Sequence, residues 1–329
     1  MLQKMNRTLE KWMPLITPTS VVLGMLLTVW LKPYTPFVPW IFAFITFAGS
    51  LSLNLKDLQR VMTHPLPIIV SLVLLHAIMP MIAWGTGHLL LPGDPQLITG
   101  LVLLLALPTG IVSFMWVSLY KGNIALTLSI ILIDTLLSPF IVPGVMSLIV
   151  GANVDMDVLG MMKGLLIMVV APSVIGMLLN QWTGGQVKTV LGPRLAPFSK
   201  IGLAVVIMIN SAFVAPYFTG INLKLVWLAA VIIVVVAFGY IGGYYLTRAL
   251  GWGKDLAITM TFNCGMRNIS AGAVLAIAYF PPTVAMPVII GMLFQQMMAS
   301  FFGHFFLADR KKRAQHGAGQ IAGGVTKHS

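Results

Sequence analysis

The stretch TFNCGMRNISAGAVLAIAYF, residues 261–280, decides the fold class because it places a charge inside an otherwise apolar run. Arg267 lies within it, and a guanidinium at the centre of a bilayer costs at least about 2.5–3.5 kcal/mol unless it has an anionic partner or a wet cavity. Gly265, Asn268, Ser270 and Gly272 interrupt the same stretch. An interrupted helix with polar groups at membrane depth is typical of the substrate site of a secondary transporter.

The composition of the whole chain indicates a membrane protein. Apolar residues make up 58% and charged residues 9% of the 329 residues, whereas a soluble domain has about 25% charged residues. Cys264 is the one cysteine, which excludes an intrachain disulfide and a cysteine-based metal cluster.

Apolar runs of about 18–25 residues are long enough to cross roughly 30 Å of hydrocarbon, and they predict an all-α protein with ten transmembrane helices. The first run is too long for the core of a signal peptide, and KPYTPF follows it in place of a cleavage site, so we expect it to be retained. The predicted spans are 14–31, 37–53, 66–91, 96–119, 123–149, 158–180, 198–219, 224–247, 255–280 and 284–307.

The charged residues between the spans predict the orientation. With the N-terminus in the cytoplasm, the outside loops receive only Lys32 and Lys224 among the basic residues, together with Asp94, Asp155 and Asp157. The other loop cations then lie inside, and they are Lys4, Arg7, Lys11, Lys56, Arg60, Lys121, Lys188, Arg194, Lys200, Arg248, Lys254, Arg310, Lys311, Lys312, Arg313 and Lys327. This bias predicts a multi-pass protein of the cell inner (plasma) membrane with both termini cytoplasmic.

The net charge of +12 is accounted for by this topology and by attraction to anionic lipid. Nucleic-acid binding would need a basic soluble face, and we expect none.

Spans 4 and 9 indicate an internal duplication. Each is the fourth of five spans, and each has helix-breaking residues in its middle: Pro108, Thr109 and Gly110 in one, Gly265 and Gly272 in the other. Five spans per half would make the repeat inverted, with halves 1–160 and 161–310 and a basic, disordered tail 311–329. Glycine and proline that serve only helix packing are the alternative.

Four motifs resemble the bile acid:sodium symporter family. They are GSLSLNLKDLQRVMTHP (49–65), HAIMPMIAW (76–84), ALPTGIVSFMWVSLYKGNIALTLSIILIDTLLSPFIVP (106–143) and FNCGMRNISAGAVLA (262–276). The resemblance covers nearly all of residues 10–310.

This resemblance implies a panel domain from spans 1, 2, 6 and 7 and a core domain from spans 3–5 and 8–10, in which broken spans 4 and 9 cross. It also implies transport of small organic anions, such as carboxylates like bile acids, pantoate or keto acids, by alternating access.

The positions that correspond to the family's first sodium site differ from the family pattern. They are Ser113, Phe114, Thr127, Ile131 and Asn263. The family has Asn at the Phe114 position, a hydroxyl at the Ile131 position and Glu at the Asn263 position. Phe and Ile offer no oxygen ligand to sodium.

The second sodium site of the family differs as well. Its positions here are His76, Asn263, the carbonyls of Cys264 and Met266, and Arg267, where the family has Gln. A guanidinium has five donors and no acceptor, so it cannot bind sodium. We therefore expect no resident metal or cofactor, with the family's Na⁺ not coupled at either site.

We interpret Arg267 as a tethered cation in place of the second sodium, and we predict Asp134 as its counter-charge in a buried pair. Asp134 lies seven residues after Thr127 and three after Ile131, on the same helix face. An ion pair that only stabilises the fold is one alternative. The other is that Arg267 binds the carboxylate of the substrate.

Thr109, Ser113, Asn268 and Arg267 are the candidate substrate-binding residues. Gln295 and Gln296 could line the cavity or bridge helices, while Asn210 and Ser211 could form part of the panel wall. An unperturbed imidazole titrates near neutral pH, which makes His76 a candidate proton carrier; a hydrogen-bonded core histidine is the alternative.

The leading functional prediction is a secondary transporter of small organic anions. A non-transporting receptor or sensor on the same scaffold is the first alternative, although no signalling domain is attached. An arsenite carrier would need a reactive cysteine in span 4, where Ser113 and Phe114 stand. Metalloprotease, serine-hydrolase and paired-carboxylate motifs are absent from the sequence, so we expect no enzyme.

Overall fold

The protein is helical, as predicted, throughout the part that the structure describes. The structure is a computed structural model that describes residues 2–53, 65–151, 156–217 and 223–307. Lys56, Arg60, Asp155 and the tail 311–329, to which the sequence assigned loop or tail positions, lie outside these residues.

Among the described residues, eight α-helices lie before residue 152. They are α1 (Leu2–Leu26), α2 (Thr28–Leu31), α3 (Val38–Ser50), α4 (Pro65–Val73), α5 (Met79–Leu90), α6 (Pro95–Ala106), α7 (Ser113–Leu119) and α8 (Ile124–Val150). Eight more follow residue 156: α9 (Val158–Leu165), α10 (Ala171–Trp182), α11 (Gln186–Val190), α12 (Gly192–Val214), α13 (Leu223–Ala249), α14 (Lys254–Gly265), α15 (Ile269–Tyr279) and α16 (Ala285–Phe302). Single π-helical turns at Leu74–Ile78 and Leu166–Val170 join α4 to α5 and α9 to α10, and a 3₁₀ segment at Lys32–Phe37 joins α2 to α3.

Fewer long helices occur than the ten predicted spans. By length and apolar composition, the described residues hold six helices that could cross a bilayer, or seven if Leu15–Leu26 and Thr28–Ser50, bent by 90°, are one span. The six are Pro65–Leu90, Ile124–Val150, Val158–Trp182, Gly192–Tyr217, Leu223–Ala249 and Pro282–Phe305. Four predicted spans are missing from the six: the fourth and ninth are each broken into shorter helices, and the first and second correspond to the bent pair. Ten crossings and an inverted repeat therefore stay predictions.

Side-chain caps mark the starts of two helices. The side chain of Asn123 accepts a hydrogen bond from the backbone N–H of Leu126 at the start of α8, at 3.0 Å. The Asp157 carboxylate accepts from Gly160 at the start of α9, at 2.8 Å. Each cap satisfies one of the N–H groups that a helix start leaves without a partner.

Two contacts join segments that the topology assigns to the same side of the membrane. Lys224 and Asp94, both predicted outside, form an ion pair of 2.9 Å. Lys200 donates to the side chain of Asn6 at 2.7 Å, and both residues belong to segments predicted inside. The contacts agree with the predicted pairing of segments without identifying which side is the cytoplasm.

Two glycines of α13 allow α14 to pack closely against it. A Cβ atom built at Gly239 would lie 2.6 Å from the Cys264 carbonyl oxygen, and one at Gly243 would lie 2.4 Å from that of Met260. Glycines four residues apart on one helix face let two membrane helices approach closely. This contact holds α14, the first half of a broken span, against an unbroken helix.

We predict that Gly243→Ala lowers the free energy of unfolding by about 1–3 kcal/mol, since the added methyl meets rigid backbone. Gly144→Ala on α8 is the matched control, because a Cβ there has no atom within 4 Å. It should be neutral or stabilise by up to about 1 kcal/mol through helix propensity. Denaturant unfolding in mixed micelles measures both, and equal effects would contradict the close-packing explanation.

Candidate functional site

Two helix breaks form the centre of the candidate site. α6 ends at Ala106 and α7 begins at Ser113, while α14 ends at Gly265 and α15 begins at Ile269. The first break contains Pro108, which has no N–H to continue a helix and which keeps the residue before it extended. Leu107 accordingly has φ −60° and ψ 148°. The interruptions predicted at Pro108, Thr109 and Gly110 and near Gly265 are confirmed, whereas Gly272 lies inside α15.

The two breaks pair with each other as a short antiparallel bridge between Thr109 and Arg267. The Gly110 N–H donates to the Met266 carbonyl at 3.0 Å, and the Asn268 N–H donates to the Pro108 carbonyl at 2.8 Å. Backbone groups outside a helix need partners at membrane depth. Each break supplies partners for the other.

Asn263 organises the hydrogen bonds where α14 meets α7 and α8. The Ser113 hydroxyl donates to Asn263 Oδ1 at 2.9 Å. Asn263 Nδ2 donates to Thr127 Oγ1 at 3.2 Å and to the Thr259 carbonyl at 2.9 Å. Thr109 Oγ1 donates to the Asn263 carbonyl at 2.8 Å.

This donor set does not fit the first sodium site that the resemblance implies. The Asn263 amide nitrogen donates to the Thr127 hydroxyl, and the Asn263 amide oxygen accepts from the Ser113 hydroxyl. Ile131 is fully buried and apolar, and Phe114 is half-buried. Sodium needs several oxygen acceptors, whereas these side chains hold one another through their own donors.

Arg267 lies in the second break and is only 2% exposed. Its Nη1 donates to the Leu107 carbonyl at 3.2 Å and to the Leu75 carbonyl at 3.4 Å. Its backbone N–H donates to Gln295 Oε1 at 3.0 Å, so Gln295 bridges helices. Arg267 thus connects both breaks to the segment between α4 and α5.

Proline residues explain why both carbonyls are available. In the π-helical turn at Leu74–Ile78, the Met79 N–H bonds to the Leu74 carbonyl, and Pro80 has no N–H. Met79 and Pro80 are the residues that would ordinarily donate to the Leu75 carbonyl in a helix, and neither of them does. Leu107 stands at the C-terminal end of α6, where helix carbonyls lack intrahelical donors and a positive charge is favourable.

His76 and Asp134 form a buried pair beside the bridge. His76 Nε2 lies 2.5 Å from Asp134 Oδ1, and the Thr109 N–H donates to Asp134 Oδ2 at 2.7 Å. Asp134 is fully buried, and His76 is 7% exposed. Both carboxylate oxygens are thus occupied by donors from different helices.

No hydrogen bond or ion pair joins Arg267 directly to Asp134, its predicted counter-charge. Asp134 is instead bound by His76 and by the backbone of Thr109, and Arg267 is bound by carbonyl oxygens. The two charges still belong to one network, because Thr109 bonds to Asp134 and pairs with Arg267. Asp134 does lie on the helix face that meets the breaks, as the spacing predicted.

The second sodium position fits no better than the first. Arg267 offers donors only, and the Met266 carbonyl already accepts from Gly110 and from Thr109 Oγ1. The Cys264 carbonyl faces Gly239 of α13, away from the breaks. Within residues 2–53, 65–151, 156–217 and 223–307, no group of three or more His, Cys, Asp or Glu could hold a metal ion.

The structure therefore gathers most of the predicted residues but gives them different partners. Thr109 and Ser113 are buried and bonded within the protein. Asn268 is half-buried, and its Oδ1 caps α15 by accepting from Ala271 at 3.4 Å. Sequence reasoning missed Thr259 and the carbonyls of Leu75 and Leu107. Pro80, four residues after His76, is the signal that could have indicated the free carbonyl.

Comparison with known proteins identifies relatives over most of the chain. A profile described as the Sodium Bile acid symporter family matches residues 39–221. A Bacillus subtilis (strain 168) protein named "Uncharacterized protein YbaS" is 53% identical over 292 residues, covering 89% of this chain and 95% of the relative.

More distant relatives carry transporter names. "Uncharacterized sodium-dependent transporter YocS" of Bacillus subtilis is 25% identical over 83% of this chain and 86% of its own length. "Probable sodium/metabolite cotransporter BASS1, chloroplastic" of Oryza sativa subsp. japonica is 28% identical over 78% of this chain and 62% of its own length. Both names describe those proteins.

We predict that His76 and Asp134 are energetically coupled. A double-mutant cycle of His76→Gln and Asp134→Asn should give a coupling energy of about 1–3 kcal/mol, because each single change leaves a buried polar group without its partner.

The cycle of Arg267→Gln and Asp134→Asn is the comparison, and its coupling should be smaller because those side chains share no direct hydrogen bond. Free energies of unfolding measured in mixed micelles give both values. Additive energies for His76 and Asp134, or a larger coupling for Arg267 and Asp134, would reverse the assignment.

Proposed function

The chain belongs to the sodium bile acid symporter family, and we propose that it is a secondary active transporter that moves small organic anions by alternating access. Family membership and the names of the relatives support transport of a small molecule. The paired breaks support a substrate site at membrane depth, since interrupted helices are where such carriers bind substrate. Transport rather than catalysis is the consistent role.

The buried Arg267 is the single observation that carries the anion proposal. Its Nε and Nη2 have no hydrogen-bond partner among the described residues, and free N–H donors on a buried positive group favour an anion. Thr109 and Ser113 would then shape the breaks, and Asn268 at the start of α15 would meet the substrate directly. Carboxylates related to bile acids, pantoate or keto acids are the substrate class.

The proposed architecture has ten crossings in an inverted repeat of residues 1–160 and 161–310. Its support is the matching position of the two breaks and the sequence pattern of the shorter helices. The basic loops support an orientation with both termini in the cytoplasm and location in the plasma membrane.

Arg267 acts, in this proposal, as a tethered cation where the family uses sodium. The guanidinium lies against carbonyls that include the C-terminal end of α6, a position that favours a positive charge. Asn263 and its partners are held by their own hydrogen bonds. The crossover is then stable without a bound ion, and transport is not coupled to sodium at these two sites.

Protons are the proposed coupling ion, with His76 as the carrier. With neutral His76, the charges of Arg267 and Asp134 cancel. A proton on His76 leaves one net positive charge at the crossover, and a bound monovalent anion would balance it. Proton and anion would therefore favour each other's binding, which is the reciprocity that cotransport requires.

Sodium should leave the stability of the protein unchanged. We predict equal thermal unfolding in sodium and in choline at equal ionic strength, because the two family sites lack ligands. A saturable stabilisation above about 1 kcal/mol, which corresponds to sodium several-fold above its dissociation constant, would contradict this. The variant with both Asn263→Glu and Arg267→Gln restores family residues, and we expect it to gain a sodium response.

Uptake should respond to protons. In proteoliposomes loaded with the purified protein, an inward proton gradient should accelerate carboxylate uptake several-fold over no gradient, while a sodium gradient should not. His76→Gln should abolish this acceleration and keep exchange of labelled for unlabelled substrate, because exchange needs no net proton movement. Uptake that follows the sodium gradient alone would overturn the proton assignment.

A further inference from the structure

Two neighbouring residues on α12 carry buried polar atoms that the breaks do not use. Asn210 and Ser211 are each 1% exposed. Neither amide atom of Asn210 nor the hydroxyl of Ser211 has a hydrogen-bond partner among the described residues. Buried polar groups are almost always paired, so each unpaired one calls for a ligand or water.

The helical positions of close neighbours show which way most of α12 faces. Gly24 of α1 approaches the backbone of Met208, where a Cβ would lie 2.2 Å from its oxygen. Gly202 faces Ile41 and Ile45 of α3. Ile209, seven residues and nearly two full turns after Gly202, shares that face.

Asn210 and Ser211 occupy the remaining arc of the helix. At 100° per residue, Asn210 lies about 200° from Met208 and about 100° from Ile209, away from both the α1 and the α3 directions. Ser211 lies about 60° from the α1 direction, on the side opposite α3. Phe213, on the α3 side of this arc, lies under Lys32 of the segment that joins α2 to α3. The other elements that pack on α12 from elsewhere in the fold include α15, α16 and Pro282–Val284.

We propose that Asn210 and Ser211 form a binding subsite for a polar group of the transported anion, facing α15. Asn268, which directly follows Arg267, is the N-cap of α15, so the subsite would lie opposite the second half of the broken span. Asn210 stands seven residues before Tyr217, about 10 Å along the helix, which places it well inside the apolar layer. This inference rests on the proposed function.

The chemistry of the two side chains defines the group that they bind. An amide offers two donors and one acceptor, and a hydroxyl offers both roles. A carboxylate or keto group could use the donors but would leave Asn210 Oδ1 unpaired. A hydroxyl or amide on the substrate satisfies all three atoms, so the preferred substrates are hydroxy or amido carboxylates.

Discrimination between matched substrates tests this subsite. The probes are radiolabelled lactate with propionate and malate with succinate, each taken up by proteoliposomes that contain the full chain. We expect at least one hydroxylated member to be taken up at least tenfold better than its partner, because a site built for a hydroxyl rejects the analogue that lacks it.

Three variants separate binding from structure. Asn210→Leu and Ser211→Ala should each reduce the preference to threefold or less. Asn210→Leu should also raise the unfolding temperature without substrate, since it removes unpaired buried polar atoms. Ser173→Ala is the matched control, because the buried Ser173 hydroxyl is bonded to the Ser50 hydroxyl at 3.1 Å, and it should keep the preference.

The outcomes distinguish this inference from the proposed function. Wild-type uptake without a hydroxyl preference, or a preference that both subsite variants retain, would overturn the subsite alone. Loss of folding in Asn210→Leu would assign that residue a structural role, and Ser211→Ala would then decide the question. No uptake of any carboxylate would overturn the anion-transport proposal and the subsite with it.

Discussion

The need to satisfy backbone groups at membrane depth governs this structure. Both broken helices expose N–H and C=O groups that hydrocarbon cannot satisfy, and each break provides what the other lacks. The bridge between Thr109 and Arg267 has hydrogen bonds on both sides. Either break without the other would leave buried groups unpaired, so the two halves of the chain depend on each other at this point.

A fixed positive charge follows from this pairing. The bridge places Arg267 where two carbonyls have lost their helical donors, one through the π-helical turn before Pro80 and one at the end of α6. Carbonyls that converge at a helix end would otherwise attract a mobile cation. A guanidinium on the chain gives the same charge permanently, and its planar group reaches acceptors in two separate elements.

The sequence predicts this centre well where residue type alone decides the chemistry. The charge at membrane depth, the helix breaks and the face of α8 that carries Asp134 were all predictable from apolar runs, proline and spacing. The direct hydrogen-bond partners of Arg267 were not predictable, because they are backbone carbonyls, which every residue has. Only the geometry of the π-helical turn distinguishes the Leu75 carbonyl from its neighbours. The bend of 90° between Leu15–Leu26 and Thr28–Ser50 was not predictable either, because an apolar run does not show where a helix bends.

The charged groups around the bridge relate the fold to the proposed proton coupling. The charges of Arg267 and Asp134 balance each other without direct contact. Thr109 links the two residues, because its backbone bonds to Asp134 and pairs with that of Arg267. His76 contacts Asp134 and follows Leu75, whose carbonyl binds Arg267. The titratable groups that interact with Arg267 further include Cys264 and Tyr240. A neutral thiol and a neutral phenol change no charge, whereas a proton on His76 changes the net charge that three helices share. The imidazole beside Asp134 is therefore the group at this centre whose protonation would alter the balance of charge, and this is the basis of the proposed proton coupling.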